Sequence, residues 1–162
     1  MGHGRRVDHD IMAFFKKMKR KKDLTRDAQG VLQLFTRKRW KIVACQHRVS
    51  DHRRHTFIDI VCRARSGTLV IVEMKTTLQP FAKYRRFYLQ PDPKAPTMTD
   101  GTPNSKYWRH QKQLAGNMQL WRAQEGNRHK VIGVVLVVCR GVTSLIPLAR
   151  ALANQVVSSI SR

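Results

Sequence analysis

Acidic residues are scarce in this sequence. Ten Asp and Glu stand against 32 Lys and Arg, which gives a formal net charge of +22 at pH 7, and only two Glu occur, Glu73 and Glu125. Such an excess of positive charge predicts a polyanionic partner, most simply nucleic acid. A structural protein of a ribosome-type particle has a similar composition, so charge alone does not separate an enzyme from a ribonucleoprotein subunit.

Two other features are missing: a run of about 18 apolar residues and any C-x-x-C spacing. We therefore expect neither a membrane span nor a zinc site of paired cysteines. The three cysteines, Cys45, Cys62 and Cys139, lie far apart in apolar runs, which favours reduced thiols and an intracellular, reducing compartment such as the cytoplasm or nucleoid. The basic N-terminus leaves a mitochondrial location open, although Asp8 and Asp10 are unusual in a presequence.

Two short apolar segments, residues 57–62 and 69–75, have the composition of β-strands and are joined by Arg-Ser-Gly at 65–67. A three-residue hairpin loop with Gly67 in the left-handed conformation places Asp59 directly opposite Glu73. A two-residue loop would instead place the two acids on opposite faces of the sheet. We predict the three-residue loop, which also brings Lys75 to the same face.

Two carboxylates that face each other repel unless a cation lies between them. Lys75 supplies one positive charge, whereas a divalent ion supplies two. Hard oxygen ligands of this kind suit Mg²⁺ or Mn²⁺. Asp59 and Glu73 are therefore the candidate metal ligands.

Asp59 followed by Glu73-Met74-Lys75 resembles the D…(D/E)-x-K signature of the PD-(D/E)XK nuclease superfamily. Within it, the chain from about residue 24 to residue 138 looks most like archaeal-type Holliday junction resolvases and related small nuclease domains. The usual Pro is absent, since Ile58 precedes Asp59. The resemblance implies an α/β fold with a mixed central sheet flanked by helices, of restriction-endonuclease type.

The same resemblance implies a metal-dependent endonuclease that cleaves phosphodiester bonds of structured or branched DNA as a symmetric homodimer. The backbone carbonyl of Met74 would be a further metal ligand, and Lys75 would position or activate the attacking water. Related nucleases carry a Gln or Lys on a later helix beside the metal, which points to Gln111; the alternative is a boundary Gln bonded to backbone. Related nucleases often carry a further acid on the first helix, which here would be Asp27; the alternative is an acid of the first turn that is simply favoured by the helix dipole.

Basic residues cluster in three further places, for which we predict contacts with nucleic acid. The residues are Lys16, Lys17, Lys19, Arg20, Lys21 and Lys22 in an N-terminal arm (1–22), Arg48, Arg53 and Arg54 in a polar loop (47–55), and Lys83, Tyr84, Arg85, Arg86 and Tyr88 in a Pro-rich insertion (78–104). The alternatives are a solvated, disordered arm and an insertion that packs its aromatic side chains on the domain.

The predicted order of elements in a single domain, 23–162, is helix, three strands, long loop, helix, strand, helix. The predicted strands cover 40–46, the hairpin and 131–138, and the predicted helices cover 24–35, 106–124 and 145–160, with a short helix at 11–18 in the arm. The leading hypothesis is a Mg²⁺-dependent nuclease. The alternative is a nuclease-fold protein without activity that binds RNA as a structural ribonucleoprotein component.

Overall fold

A computed structural model describes residues 2–158 as an α/β protein with one five-stranded mixed sheet flanked by helices. The helices are α1 His3–Phe15, α2 Arg26–Lys38, α3 Phe81–Tyr88, α4 Lys106–Glu125 and α5 Arg150–Ser158. The strands are β1 Lys41–Ser50, β2 His55–Arg63, β3 Leu69–Thr76, β4 Val131–Cys139 and β5 Val142–Pro147. Within residues 2–158, no helix combines the length and the apolarity needed to cross a membrane.

The strands lie in the sheet in chain order, β1-β2-β3-β4-β5. Only β3 and β4 pair in parallel, and the other neighbours are antiparallel. A parallel pair needs a crossover connection, which here contains α3 and α4. The predicted mixed sheet is therefore confirmed, and β3 is its central strand.

Both faces of the sheet are covered, as the apolar strands predict. Alternate residues of β3 point to opposite sides: Val70 and Val72 pack against α1 and α2, whereas Ile71 packs against α4 and α5. Helix α4 begins at Lys106, as predicted. The side chain of Ser105 caps its first turn by accepting a hydrogen bond from the backbone N–H of Trp108.

The hairpin between β2 and β3 has the predicted three-residue loop. Gly67 has a φ of 87°, and the backbone N–H of Ala64 donates to the carbonyl of Thr68 at 2.8 Å. The ladder then pairs Ile60 with Val72, one residue before the two acids. Asp59 and Glu73 are therefore opposite each other in the register.

The N-terminal segment differs from the predicted arm. Helix α1 begins at His3, eight residues before the predicted start at Ile11, and Val7 and Ile11 are fully buried against α2. Their spacing of four residues forms one helical face, and burial of that face makes residues 3–15 part of the packed layer. The segment from Lys16 to Lys22 remains as a basic connection that is exposed except at Lys19.

Three other segments also differ from expectation. Strand β1 continues to Ser50, so Arg48 lies in a strand, and the predicted loop shortens to a turn in which Asp51 accepts bonds from the N–H groups of Arg53 and Arg54. Residues 81–88 form a helix. The last segment forms β5 before α5, because residues 142–147 pair with β4; residues 159 and 160 of the predicted helix lie outside the described residues.

Candidate active site

The site is formed where β2 separates from β3. The β2–β3 ladder ends at Ile60, and in β1 the neighbouring Gln46 has a positive φ of 47°. Beyond that point the backbone N–H of Met74 donates to Oδ2 of Asp59 at 2.8 Å, and the Gln46 amide donates to Oδ1 at 3.3 Å. The side chain of Asp59 therefore accepts the hydrogen bond that a backbone carbonyl of β2 would accept from Met74 in a regular ladder.

Glu73 lies deeper, with 2% of its surface exposed. Its Oε1 accepts a hydrogen bond from Nζ of Lys75 at 2.9 Å, and its Oε2 accepts one from Nδ2 of Asn117 at 3.0 Å. Lys75 also donates to Oε1 of Gln113 at 3.1 Å and is partly exposed. Glu73 is thus buried in the protein, whereas Lys75 lies at the surface opening between β2 and β3.

The two carboxyl groups lie in an environment that disfavours their ionised forms. Burial and, after it, the charge of Asp59 raise the pKa of Glu73 to about 7, although Lys75 acts in the opposite direction. Burial also raises the pKa of Asp59, despite the hydrogen bond from Met74 and the charge of Lys75. The negative charge of the pair is therefore only partly neutralised by Lys75.

A third carboxyl group, Asp8 of α1, affects the pair through its charge. Burial and the charge of Asp59 raise the pKa of Asp8 to about 6, and Asp8 in turn raises the pKa of Glu73. In the sequence alone, Asp8 stands out only as a residue that is unusual in a mitochondrial presequence. The spacing of Val7 and Ile11 marks the buried face of α1, and Asp8 borders that face, which is the signal that identifies it.

The oxygen donors at this position suit Mg²⁺ or Mn²⁺. Within residues 2–158, no three His, Cys, Asp or Glu side chains are grouped closely enough to enclose a metal. Mg²⁺ keeps several waters and is commonly held by one or two carboxylates, which Asp59 and Glu73 supply. The N–H and C=O of one strand residue point to the same edge of the strand, so the carbonyl of Met74 is directed to the same edge as the N–H that bonds to Asp59.

Helix α4 covers the site, but not through Gln111. The amide of Gln111 donates to the carbonyl of Pro147 at 3.1 Å and accepts from the N–H of Ala149 at 2.7 Å, so it joins α4 to the β5–α5 connection. These two bonds agree with the alternative expectation for Gln111, a boundary residue bonded to backbone. Gln113 and Asn117, one helical turn apart, are the residues that contact Lys75 and Glu73.

Asp27 is also occupied elsewhere. Its carboxylate contacts Nε2 of His3 at 2.6 Å and accepts a bond from the backbone N–H of Gly141. It therefore joins α1, α2 and the β4–β5 turn, and none of its hydrogen bonds is with Asp59 or Glu73. These contacts favour a structural role over metal ligation.

The predicted aromatic contacts with nucleic acid are only partly accessible. Tyr88 is 2% exposed, its ring stacks on Tyr84 with centroids 5.0 Å apart, and its hydroxyl is 3.0 Å from Nδ1 of His110. Burial and then the charge of Lys75 lower the pKa of His110 to about 4. Tyr88 is thus a packing residue, whereas the neighbouring Phe87 is 53% exposed.

The predicted basic contacts are almost all at the surface. Exposed residues are Lys16, Lys17, Arg20, Lys21, Lys22, Arg48, Arg53, Arg54, Lys83, Arg85 and Arg86. Lys19 is half-buried because its Nζ bonds to Oδ1 of Asp10 at 2.8 Å.

No protein-family model matches the chain, and no curated protein matches it. Functional assignment therefore depends on the geometry and charge of its own side chains.

Proposed function

We propose that the protein is a metal-dependent nuclease that cleaves phosphodiester bonds of nucleic acid, with structured or branched DNA as the favoured substrate. The observation that carries the proposal is the meeting of Asp59 and Glu73 at the opening of one hairpin, with Lys75 beside them. A net charge of +22 supplies the attraction for a polyanion. The five-stranded mixed sheet is compatible with the restriction-endonuclease-like, resolvase-like core implied by the signature.

Each side chain has a defined task in this proposal. Asp59 and Glu73, with the carbonyl of Met74, would hold Mg²⁺ or Mn²⁺. When bound, such an ion lowers the pKa of water and stabilises negative charge on the phosphoryl oxygens. Nζ of Lys75 faces the opening, where it orients the attacking water and neutralises charge on the phosphate. Gln113 holds Lys75 in place, and Asn117 fixes the rotamer of Glu73.

The substrate is the part of the proposal that needs the most direct test. A labelled four-way junction, a duplex, a single strand and a structured RNA should each be incubated with the protein in Mg²⁺, in Mn²⁺ and in EDTA. We expect metal-dependent cleavage, greatest for branched DNA. A resolvase also needs two active sites, so sedimentation with bound junction should give a dimer. Binding of all four substrates without cleavage in either metal would contradict the nuclease proposal.

A second function has its own supporting observation. Both oxygens of Glu73 already have partners, Lys75 and Asn117, as expected for a buried ion pair that is purely structural. In that case the protein would be an inactive RNA-binding component of a ribonucleoprotein. The discriminating result is stability: EDTA and Mg²⁺ would give the same melting temperature for a structural pair, whereas a metal site would be stabilised by Mg²⁺.

A further inference from the structure

A cavity of about 670 Å³ lies between the end of α1, α2 and the start of β1. Its wall includes the aromatic rings of Phe14, Phe15, Phe35 and Trp40. Phe35 is buried and supports Trp40, with ring centroids 6.0 Å apart, whereas Phe15 is 38% exposed at the mouth. The volume lies within the range of roughly 300–1,000 Å³ that is usual for small-molecule sites.

The rim of this cavity is strongly basic. Lys17, Lys21 and Lys41 line it and take part in no ion pair within residues 2–158, whereas Lys19 and Arg20 are paired with Asp10 and Asp23. None of the residues described as lining the cavity is acidic. The charge of the rim thus selects an anionic occupant, and the aromatic wall selects one with a planar, apolar face.

We propose that this cavity, here called the aromatic cavity, binds an unpaired nucleotide of the nucleic-acid partner. The base would stack in the cavity against Trp40, and the flanking phosphates would contact Lys17, Lys21 and Lys41. Aromatic side chains beside a basic groove are the general means of binding single strands without sequence preference. A base within a duplex is already stacked and paired, so only a single-stranded or branched segment offers one.

The aromatic cavity is separate from Asp59 and Glu73, but it is close enough for one nucleic-acid molecule to contact both places. Ile42, at its edge, precedes Gln46 by four residues on β1, and Gln46 hydrogen bonds to Asp59. Four strand residues span roughly 13 Å. The inference rests on the nucleic-acid binding of the proposed function and not on cleavage. The cavity would favour substrates that have an unpaired segment close to the bond to be cut.

The test compares two ligands that differ only in their bases. Fluorescence anisotropy should measure binding of a labelled thymidine oligonucleotide and of an abasic oligonucleotide of equal length, in EDTA and at fixed salt. The two carry the same phosphates, so charge alone predicts equal affinity. We expect the thymidine oligonucleotide to bind roughly tenfold more tightly, as stacking of one base implies.

Variants locate the effect. Trp40→Leu should reduce the ratio of the two affinities towards one, whereas Trp40→Phe keeps an aromatic ring and should retain the ratio. Both ligands are measured on the same preparation, so partial unfolding of a variant does not change the ratio. Phe14→Leu removes a second aromatic ring from the wall of the aromatic cavity and should also reduce the ratio. Lys17→Gln with Lys21→Gln should weaken both ligands more than the charge-matched pair Lys94→Gln with Lys130→Gln, whose residues are exposed elsewhere.

A ratio near one for the wild-type protein would overturn the inference, and so would a ratio that neither Trp40→Leu nor Phe14→Leu reduces. These outcomes are distinct from failure of the nuclease proposal. A protein that shows the base-dependent ratio but cuts nothing in Mg²⁺ or Mn²⁺ would retain the aromatic cavity and lose the catalytic role. Cleavage by a protein with a ratio of one would do the reverse.

Discussion

The carboxylate of Asp59 accepts a 2.8 Å hydrogen bond from the backbone N–H of Met74, on the neighbouring strand. Met74 separates Glu73 from Lys75, so this bond brings the acid of β2 against the centre of the Glu-Met-Lys segment of β3. The arrangement has specific consequences for activity, stability and binding.

Glu73→Gln should reduce cleavage by about a hundredfold or more, because the carboxylate is lost from the metal-ligand pair and with it several kcal/mol of transition-state stabilisation. Binding of nucleic acid should persist or become tighter, since the site repels phosphate less. Single-turnover cleavage and anisotropy on the same preparation measure the two effects.

The chain offers a matched control in its other glutamate. Glu125 lies at the end of α4, where its carboxylate is 3.4 Å from His47 at the surface. Glu125→Gln makes the same chemical change away from the hairpin and should leave cleavage unchanged. Equal losses in both variants would indicate a general charge effect and contradict the assigned role of Glu73.

Lys75→Met should abolish cleavage by a different route. The substitution removes the charge beside the water and leaves Asp59 and Glu73 in place, so binding of Mn²⁺, measured by calorimetry, should persist. Without metal the variant leaves Glu73 buried without its cation, and we expect reduced stability that metal restores. Lys130→Met, an exposed control, should change neither property. Loss of metal binding in Lys75→Met would count against this division of roles.

The stability of the metal-free protein should fall as pH rises. The folded-state pKa of Glu73, about 7, lies above its ordinary value of 4.5, so its stabilising contribution is complete below about pH 4.5 and is lost as pH rises through 7. The loss is on the order of 3 kcal/mol. Urea unfolding in EDTA between about pH 5 and about pH 8 measures it.

Other groups contribute to this pH profile, so the difference between wild type and Glu73→Gln is the informative quantity. Asp8 acts in the same direction, whereas His110, with its pKa lowered to about 4, acts in the opposite one. Mg²⁺ should reduce the loss at high pH, because it favours the ionised carboxylates. A difference that does not vary with pH would show that Glu73 is ionised throughout.

Binding of nucleic acid should weaken steeply as salt rises, even without metal. Each phosphate contact contributes about 0.9 to the slope of log affinity against log salt for B-DNA. Replacing Lys16, Lys17, Lys21 and Lys22 by Gln should therefore lower the slope by up to about four. Deleting the whole arm would not be a clean test, because it removes Val7 and Ile11 from the core. An unchanged slope would assign the four lysines to another partner or to solvent.

Gln111 and Gln113 should separate stability from catalysis. Gln111→Ala removes the two hydrogen bonds of a fully buried amide, so the N–H of Ala149 and the carbonyl of Pro147 lose this partner. The free energy of unfolding should fall by about 1–3 kcal/mol. Gln113→Ala leaves an exposed position and frees Lys75, so cleavage should fall with little change in unfolding free energy. The reverse pattern would return the catalytic role to Gln111.

The hairpin was predictable because its information is local. The position of Gly67 sets the loop length, the loop length sets the register, and strict alternation of side chains then places Asp59 opposite Glu73. The helix that contributes amides to the site was also predictable, from the spacing of its apolar residues and from Ser105 as its cap.

What the sequence by itself determined is therefore the covered faces of the sheet and the pairing of the two acids, which follow from periodicity and turn chemistry, together with the mixed sheet that the resemblance implied. Only the tertiary structure decided which distant residues join them. The charge of Asp8 acts on the site because burial of Val7 and Ile11 docks α1. Gln111 is not at the site because its amide bonds to the backbone of the β5–α5 connection. A buried polar group bonds to whatever partner packing brings near, and packing between elements far apart in the chain leaves no periodic signal.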